Sequence, residues 1–219
     1  MAQALEVVGE RWTLLIIREL LSGSRRFTEI LNGISKIPRS VLAQRLQQIE
    51  QAGLARRVEA KQGAEYHLTP AGRALEPIVM GLGSWARSWA HREPLEEELD
   101  TTLLMWDIQR RIAADQVPAG RVLIRFDFTD GKRGSQRYWL KIEDGAGDVC
   151  LKHPGFDETA VVRTDRRTLI EIWMGHRSFS TAVRRGDVSI EAPPKIARAL
   201  PSWFQLNVFV ELEAQASAS

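Results

Sequence analysis

The sequence predicts an α+β protein built from two domains, and three observations lead to this prediction. At 219 residues, the chain is long enough to form two hydrophobic cores. Its first part has helical patterns followed by a short hairpin, whereas its second part has strand patterns followed by helices. A polar, acidic stretch at residues 91–100, HREPLEEELD, separates the two parts. We therefore expect one domain at residues 1–93 and a second at residues 94–219.

The apolar and charged fractions are those of an ordinary soluble protein. Cys150 is the single cysteine, which excludes a disulfide within the chain and suits a reducing compartment. No apolar run approaches the ~18 residues that a membrane-spanning helix needs. The first residues, MAQALEVVGERW, lack the pattern of a secretion signal. We expect a cytoplasmic protein that makes no membrane contact.

Charge is distributed unevenly between the two parts. Residues 1–93 contain 13 Lys and Arg against 9 Asp and Glu, whereas residues 94–219 contain 17 against 19. The first part therefore carries a net charge of +4 and the second a net charge of −2. A local basic excess attracts polyanions, so the first part permits nucleic-acid binding without requiring it.

The chain begins with two predicted helices. Residues 4–22 predict a helix that is apolar on more than one face and ends at Gly23. A short helix, FTEILNGI, follows Arg25 and Arg26. Arg26 and Thr28 lie at its start, where backbone N–H groups and basic side chains can hold a phosphate.

The next helix, within residues 37–54, has two distinct faces. An apolar stripe recurs at helical spacing, and Gly53 ends the helix; the stripe consists of Leu42, Leu46 and Ile49. The opposite side is polar and almost free of acids, which a DNA major groove accepts; its members are Arg39, Ser40, Ala43, Gln44 and Gln47. A solvated surface face is the alternative interpretation. The tight connection SKIP between the two helices predicts a helix-turn-helix.

Two short strand-like runs, LARRVEA and AEYHLT, follow the polar-faced helix. They flank Lys61, Gln62 and Gly63, which predict a hairpin turn. Arg56, Arg57 and Lys61 make this hairpin basic, so we interpret it as a wing that contacts the DNA backbone or minor groove. The alternative is that these are solvated edge-strand charges that oppose aggregation.

Residues 70–90 predict another helix, with Pro70 in its first turn and Pro77 as a kink site. Its apolar stripe is longer than one small domain needs, and it consists of Leu75, Ile78, Val79, Leu82, Trp85 and Trp89. Together with the apolar first helix, this stripe predicts a subunit interface and therefore a homodimer. Core packing within the chain is the competing interpretation.

Three phrases of this region, ALEVVGERWTLLIIRELLSGSRRFTEIL, VLAQRLQQIEQAGLARRV and YHLTPAGRAL, strongly resemble the HxlR-type family of bacterial winged-helix regulators, relatives of the MarR group. The resemblance covers residues 2 to about 90. It implies a homodimer whose two recognition helices read a pseudo-palindromic site on double-stranded DNA. Many members have a cysteine a few residues before the AL-V-GERW phrase, which is sometimes used for redox or electrophile sensing and which this chain lacks.

The residues expected to contact DNA are basic and polar side chains of the two helices and the wing. Members of the family usually begin the recognition helix with Ile-Ser-Pro, whereas this chain has Ile37, Pro38 and Arg39. A serine cap is thereby lost, so the role of Arg39 depends on its chemistry and not on the family pattern. The expected set is Arg25, Arg26, Thr28, Arg39, Ser40, Gln44, Arg45, Gln47, Arg56, Arg57 and Lys61.

The second part begins with an amphipathic helix, TTLLMWDIQRRIA, and continues with the strand-like runs RVLIRFDFTD, RYWLKIEDG and GDVCLK. The first two runs are separated by the turn-rich GKRGSQ, and their alternating apolar residues are typical of half-buried antiparallel strands. A strand AVVRT, the helices TLIEIWMG and SFSTAVRRG, a strand VSIEAP and a closing helix PPKIARALPSWF follow. This order predicts an α+β domain.

The phrases VVRTDRRTLIEIWMG, TAVRRGDVSIEAP and ALPSWF resemble the sterol-carrier-protein type of lipid-binding domain over roughly residues 103–206. The resemblance implies an apolar cavity between sheet and helices, suited to an apolar small-molecule effector. Aromatic side chains would line this cavity, although the same side chains could form an ordinary core. They are Trp106, Phe126, Phe128, Trp139, Trp173, Phe179, Trp203 and Phe204.

The sequence gives no support for a catalytic, metal or cofactor site. The histidines lack metal-ligand spacing among themselves or with Cys150; they are His67, His91, His153 and His176. No motif of a phosphate-binding loop, a dinucleotide site or a serine hydrolase occurs. We expect Cys150 to be a buried, inert thiol and the acids near strand ends to face solvent, namely Asp127, Asp130, Glu143 and Asp144.

These observations predict a dimeric DNA-binding transcriptional regulator and not an enzyme. Its fold would be an N-terminal winged helix-turn-helix domain followed by an α+β sterol-carrier-like domain. Filling of the second domain would change the spacing between the recognition helices. The alternative is a small-molecule or lipid carrier in which the winged helix serves dimerisation only. Salt-dependent binding to duplex DNA distinguishes the two.

Overall fold

The computed structural model describes residues 1–34, 36–61, 63–90, 99–130 and 136–207. Gln62, His91, most of the acidic stretch and nearly all of GKRGSQ lie outside these residues, and so do the turn and boundary predictions that depend on them. The chain divides into two compact units, Met1–Arg92 and Glu93–Ser219. In the described ranges, no helix is both long and apolar enough to cross a membrane.

The first unit is mainly helical. Its hairpin, which the sequence predicted, pairs β1 (Ala55–Ala60) with β2 (Gly63–Leu68) in antiparallel register. Buried side chains from the second, third and fourth helices form its core, among them Ile16, Ile17, Leu20, Ile30, Leu42, Leu46 and Ile49. The helices are α1 (Ala2–Val8), α2 (Thr13–Leu21), α3 (Phe27–Asn32), α4 (Arg39–Gln51), α5 (Pro70–Arg73) and α6 (Glu76–Trp89).

The prediction of one continuous helix over residues 4–22 is wrong, because the chain forms α1 and α2 with a break between them. The Gly9 N–H donates to the Leu5 carbonyl at 2.8 Å and ends α1, and the Thr13 N–H donates to the Glu10 carbonyl at 3.0 Å. Glycine is costly in a helix interior, which favours a break at this position. α2 supplies much of the core, whereas α1 buries none of its residues.

The end of α4 and the start of α5 hold the hairpin in place. Gly53 has a φ of +68° just after α4, as its predicted role at the helix end requires. The Thr69 hydroxyl donates to the Gly53 carbonyl at 2.6 Å and accepts from the Gly72 N–H at 3.2 Å. A Cβ on Gly72 would lie 2.0 Å from the Leu54 carbonyl oxygen, so this close approach requires glycine.

The helix expected over residues 70–90 is also divided, into α5 and α6. Pro77 lies in the first turn of α6 instead of kinking a continuous helix. Its ring nitrogen has no hydrogen to donate to the carbonyl of Arg73, so a continuous helix would lose that bond. A helix that restarts at Glu76 tolerates proline because first-turn N–H groups need no partner within the helix.

The second unit is one five-stranded sheet with helices. The strands lie in the order β5-β4-β3-β6-β7; the β3–β6 pair is parallel and the other neighbouring pairs are antiparallel. Its strands are β3 (Val122–Phe128), β4 (Gln136–Glu143), β5 (Ala146–Cys150), β6 (Ala160–Thr164) and β7 (Val188–Glu191). Its helices are α7 (Thr101–Arg110), α8 (Arg166–Trp173), α9 (Phe179–Arg185), α10 (Pro194–Ala199) and a 3₁₀ helix (Leu200–Trp203).

The two faces of this sheet differ in chemistry. One face carries the apolar core together with α7, α8 and the 3₁₀ helix, and its strand residues include Ile124, Phe126, Phe128, Tyr138, Leu140 and Val162. The register places Trp139 beside Arg125 and Asp127 beside both Arg137 and Arg163 on the opposite face. That opposite face is therefore largely charged, although Leu123 on it is fully buried.

Candidate functional site

The polar face of α4 is the first candidate site. Its apolar stripe is buried as predicted, with Leu42, Leu46 and Ile49 between 0% and 2% exposed. The opposite side is exposed, and its members are Arg39, Ser40, Ala43, Gln44 and Gln47. α4 begins after Pro38 without a side-chain cap. A short helix with hydrogen-bonding side chains and one small residue on its free face suits a DNA major groove.

The start of α3 lies beside the start of α4. The Arg39 guanidinium carbon lies 5.3 Å from the centroid of the Phe27 ring, in a cation–π arrangement. Thr28 is exposed at the same end of α3. The backbone N–H groups of Arg25 and Arg26, however, already donate to the Glu29 carboxylate at 2.7 and 3.0 Å. A phosphate at this end would therefore contact side chains or the other first-turn N–H groups.

The hairpin brings a third set of basic side chains to the first unit. Arg56, Arg57 and Lys61 are all exposed, and Arg57 pairs with Glu59 at 2.8 Å. The Tyr66 N–H donates to the Arg25 carbonyl at 2.8 Å, which ties β2 of the hairpin to the segment just before α3. Helix-turn-helix and wing are thus held together by backbone hydrogen bonding.

Besides Arg57, which pairs with Glu59, and Arg26, which lies 3.7 Å from Glu65, two of the expected DNA contacts make two side-chain hydrogen bonds each within the first unit. The Arg25 guanidinium donates to the carbonyls of Leu20 and Ser24 at 2.6 and 2.9 Å, at the end of α2. Arg45 donates to Glu10 at 2.7 Å. Both side chains stabilise the unit internally, so we leave them out of the DNA contacts proposed below.

Sequence reasoning missed a buried ion pair behind the helix-turn-helix. Glu19 is fully buried and accepts from Arg18 at 2.8 Å and from the Ser24 hydroxyl at 3.2 Å. Arg18 also donates to the Gly33 carbonyl at 2.7 Å, which connects α2 to the turn after α3. Only the unusual placement of an acid within the apolar α2 stripe could have indicated this contact.

α1 and α6 carry exposed apolar side chains. Trp85 and Trp89 are 58% and 78% exposed, and Ile78 and Leu82 lie on the same side of α6 at spacings of four and three residues. Leu5 and Val7 of α1 are exposed as well, and α6 buries only Val79. This exposed set disfavours the interpretation that the stripe is wholly core of the first unit.

The second candidate site is an apolar cleft of about 360 Å³ in the second unit. Four of the eight aromatic residues predicted to line a cavity do so, namely Phe126, Trp173, Phe179 and Phe204. Aliphatic side chains of α7, α8 and the segment after the 3₁₀ helix complete it, including Ile108, Leu169, Ile172 and Leu206. Arg177 and Ser178 lie at its polar end.

The other four predicted aromatics do not line the cleft. Phe128 packs edge-to-face on Tyr138, with ring centroids 5.9 Å apart, and Trp203 is fully buried in the core. Trp106 lies under the Arg110 guanidinium. Trp139 is on the opposite face of the sheet, where its indole N–H donates to Glu158 at 2.9 Å. Successive side chains of a strand point to opposite faces of the sheet, so Trp139 lies opposite Tyr138 and Leu140. This alternation in the sequence could have excluded Trp139 from the lining of the cleft.

Two further predictions for the second unit need correction. Asp127 was expected to face solvent, but it is only 7% exposed and pairs with Arg125 at 3.0 Å. Arg137 and Arg163 also approach its carboxylate, because they are its cross-strand neighbours. Cys150 is half-buried instead of buried, and desolvation followed by the charge of Asp148 raises the pKa of its thiol. A raised pKa lowers the thiolate fraction and hence the reactivity.

No cluster of three or more potential metal ligands occurs in the described ranges of the chain.

A family model described as an HxlR-like helix-turn-helix matches residues 7–94. The chain is similar to the uncharacterized HTH-type transcriptional regulator YvaP of Bacillus subtilis, at 37% identity over 90 residues, which are 40% of this chain and 83% of that protein. It is similar to the HTH-type transcriptional regulator YodB of the same organism, at 36% identity over 39% of this chain and 80% of that protein. An uncharacterized HTH-type transcriptional regulator of Mycobacterium tuberculosis is 42% identical over 41% of this chain, which spans 58% of that relative.

Proposed function

We propose, on the premise that this chain belongs to the HxlR-like helix-turn-helix family, that it is a sequence-specific DNA-binding transcriptional regulator. The observation that carries the proposal is the exposed polar face of α4, placed beside the basic hairpin of the same unit. The relatives named above are regulators and not enzymes. We propose a cytoplasmic protein without catalytic activity.

The proposed contacts divide by chemistry. Ser40, Gln44 and Gln47 are uncharged hydrogen-bonding side chains on the exposed face of α4, so we assign them to base edges. The remaining exposed groups fix the position of the protein on the DNA backbone and carry no sequence information. They are Thr28, Arg39, Arg56, Arg57 and Lys61, together with the partly exposed Arg26.

We further propose a homodimer formed through the exposed apolar surface of α1 and α6. Two large tryptophan side chains left in water, Trp85 and Trp89, are the main support. A second copy of the chain would cover them through a twofold interface, which is the commonest arrangement of soluble oligomers. Such a dimer would present two α4 helices to successive major grooves.

For the second unit we propose a sterol-carrier-like domain that controls DNA binding through a ligand. The apolar cleft is the support, since its volume lies within the range of small-molecule sites, ~300–1,000 Å³. A ligand that binds one arrangement of the dimer better than another shifts the population toward that arrangement. The cleft equally favours the alternative of a carrier whose first unit serves dimerisation only.

DNA binding by the full-length chain tests the proposal and separates it from the carrier alternative. Duplexes would first be selected from fragments of the source genome, and the dissociation constant would then be measured across a range of salt concentrations. We expect tight binding that weakens with salt. The salt slope is the slope of the logarithm of the binding constant against the logarithm of the salt concentration. The double variant Arg56→Ala, Arg57→Ala should lower the magnitude of this slope by ~1–2 units, because each lost phosphate contact removes ~0.9.

The matched control is Arg184→Ala, Arg185→Ala, which removes two adjacent exposed arginines of α9 in the second unit. This control should leave affinity and slope unchanged. No salt-dependent binding by the unchanged protein, or a wing variant with an unchanged slope, would contradict the DNA-binding assignment or the wing assignment respectively.

A further inference from the structure

The polar end of the cleft determines which ligands can enter it. Of the twelve described residues that line the cleft, Arg177 is the only charged one. The others are apolar apart from Gly175 and Ser178. A charged ligand loses its hydration shell in the cleft and needs an opposite charge there in compensation. The balance of charge around Arg177 therefore decides which ligand charge the cleft accepts.

Arg177 is already paired with two carboxylates. Its Nη2 lies 2.8 Å from Glu171 Oε2, and its Nη1 lies 3.0 Å from Asp187 Oδ2. One cation therefore faces two anions, and the three side chains carry a formal net charge of −1. An anionic ligand group would compete with both carboxylates and would be repelled by their excess charge.

A neutral ligand oxygen, in contrast, can accept a hydrogen bond at the polar end of the cleft without this repulsion. A guanidinium has five N–H donors, so Arg177 can still donate to a carbonyl or hydroxyl oxygen. The Ser178 hydroxyl already donates to Thr181 at 2.7 Å and accepts from its N–H at 3.1 Å. Trp173 also lines the cleft, but its indole N–H is buried, so a ligand oxygen in the cleft does not reach this donor. Arg177 is therefore the donor on which an acceptor oxygen of the ligand relies.

We propose that this cleft takes a compact, uncharged and mainly apolar molecule that carries one acceptor oxygen, such as an alcohol, ester or ketone, and that it discriminates against carboxylates. The inference rests on the ligand control proposed above for the second unit. The volume of about 360 Å³ lies near the lower end of the range for small-molecule sites, which sets the compact size.

Matched pairs of probes test this charge preference on the full-length chain. The pairs are 1-decanol with decanoate and methyl 2-naphthoate with 2-naphthoate, at a pH of about 7.5 where both acids are ionised. Isothermal titration gives each dissociation constant, and apolar burial predicts a negative heat-capacity change. We expect the neutral member of each pair to bind at least tenfold more tightly.

Two variants and one control locate the effect. Leu206→Trp adds bulk at the cleft and should weaken binding of the neutral probes at least tenfold, whereas Leu151→Trp makes the same change at an exposed position outside it and should not. The double variant Glu171→Gln, Asp187→Asn leaves the Arg177 charge uncompensated, so it should bind decanoate at least threefold more tightly than the unchanged protein does.

The outcomes separate this inference from the function on which it rests. Carboxylates that bind as tightly as their neutral partners overturn the charge preference but leave ligand control standing. No binding of any probe overturns both. Neutral probes that bind equally well to the Leu206→Trp variant overturn the assignment of the ligand to this cleft.

Discussion

The Nη2 atom of Arg45 donates to Oε2 of Glu10 across 2.7 Å, which joins α4 to the turn between α1 and α2. The Nη1 atom of the same side chain donates to Gln48 at 2.6 Å. Arg45 is only 18% exposed. The arginine is thus engaged within the unit, even though its position in the sequence places it among the DNA-contacting candidates.

Replacing Arg45 tests this distinction. Arg45→Gln should leave the salt slope of DNA binding unchanged, because the side chain contacts Glu10 and no phosphate. The matched variant Arg56→Gln removes an exposed wing arginine and should lower the slope by about one unit. The measurement is the dissociation constant of a selected duplex at four salt concentrations. A fall of one unit for Arg45→Gln would place Arg45 on the DNA backbone.

The exposed tryptophans of α6 give a prediction about assembly. Trp85→Glu should convert a dimer into a monomer, because a desolvated carboxylate at the centre of an apolar interface costs ~2 kcal/mol or more. This cost weakens dimerisation about 30-fold. Sedimentation equilibrium at micromolar concentration measures the dissociation constant of the dimer. The control is Leu151→Glu, which makes the same change at another exposed apolar side chain. A stable monomer of the unchanged protein without DNA would refute the proposed interface.

The Trp139–Glu158 hydrogen bond predicts a pH dependence of stability. Burial raises the pKa of Glu158, but the hydrogen bond from Trp139 and the bond and charge of Arg125 outweigh burial and lower it. A carboxyl group with a lowered folded pKa stabilises the protein above its unfolded pKa of ~4.3, and this stability is lost as the pH falls through the folded value.

Urea unfolding at several pH values tests this prediction with Glu158→Gln. The free-energy difference between the unchanged protein and the variant should be largest near neutral pH and should shrink below pH ~4.3. Trp139→Phe removes the donor and should show the same trend at smaller amplitude. A difference that stays constant between pH 7 and the lowest pH measured would show that the Glu158 charge does not contribute.

Much of the secondary structure follows from local pattern. The buried stripe of α4, the hairpin and the strands of the second unit are predictable because periodicity and turn residues act over short distances. The break between α1 and α2 was missed because the residues on both sides of Gly9 keep a helical pattern, and only the chain as a whole decides whether the glycine interrupts it.

The sites were less predictable than the elements. Phe126 and Phe128 share one strand and one face, yet only Phe126 lines the cleft, since Phe128 packs on Tyr138. Arg45 is separated from Glu10 by 35 positions, so no local pattern reveals their contact. Such outcomes depend on tertiary neighbours, which spacing along the chain does not specify.

The proposed function requires that the exposed face of α4 read base sequence. Gln44 is an exposed side chain of that face and can make a bidentate bond with adenine. Replacing it with alanine should therefore relax the preference at one base pair by ~1–3 kcal/mol. The affinity of the Gln44→Ala variant for a scrambled duplex should equal that of the unchanged protein, because phosphate contacts dominate non-specific binding.

The most direct measurement is the ratio of dissociation constants for a scrambled and a selected duplex at one fixed salt concentration, for the unchanged protein and Gln44→Ala. We predict a ratio of at least ~10³ for the unchanged protein, and a loss of discrimination at a single base pair in the variant. Equal affinity of the unchanged protein for both duplexes would contradict sequence-specific regulation.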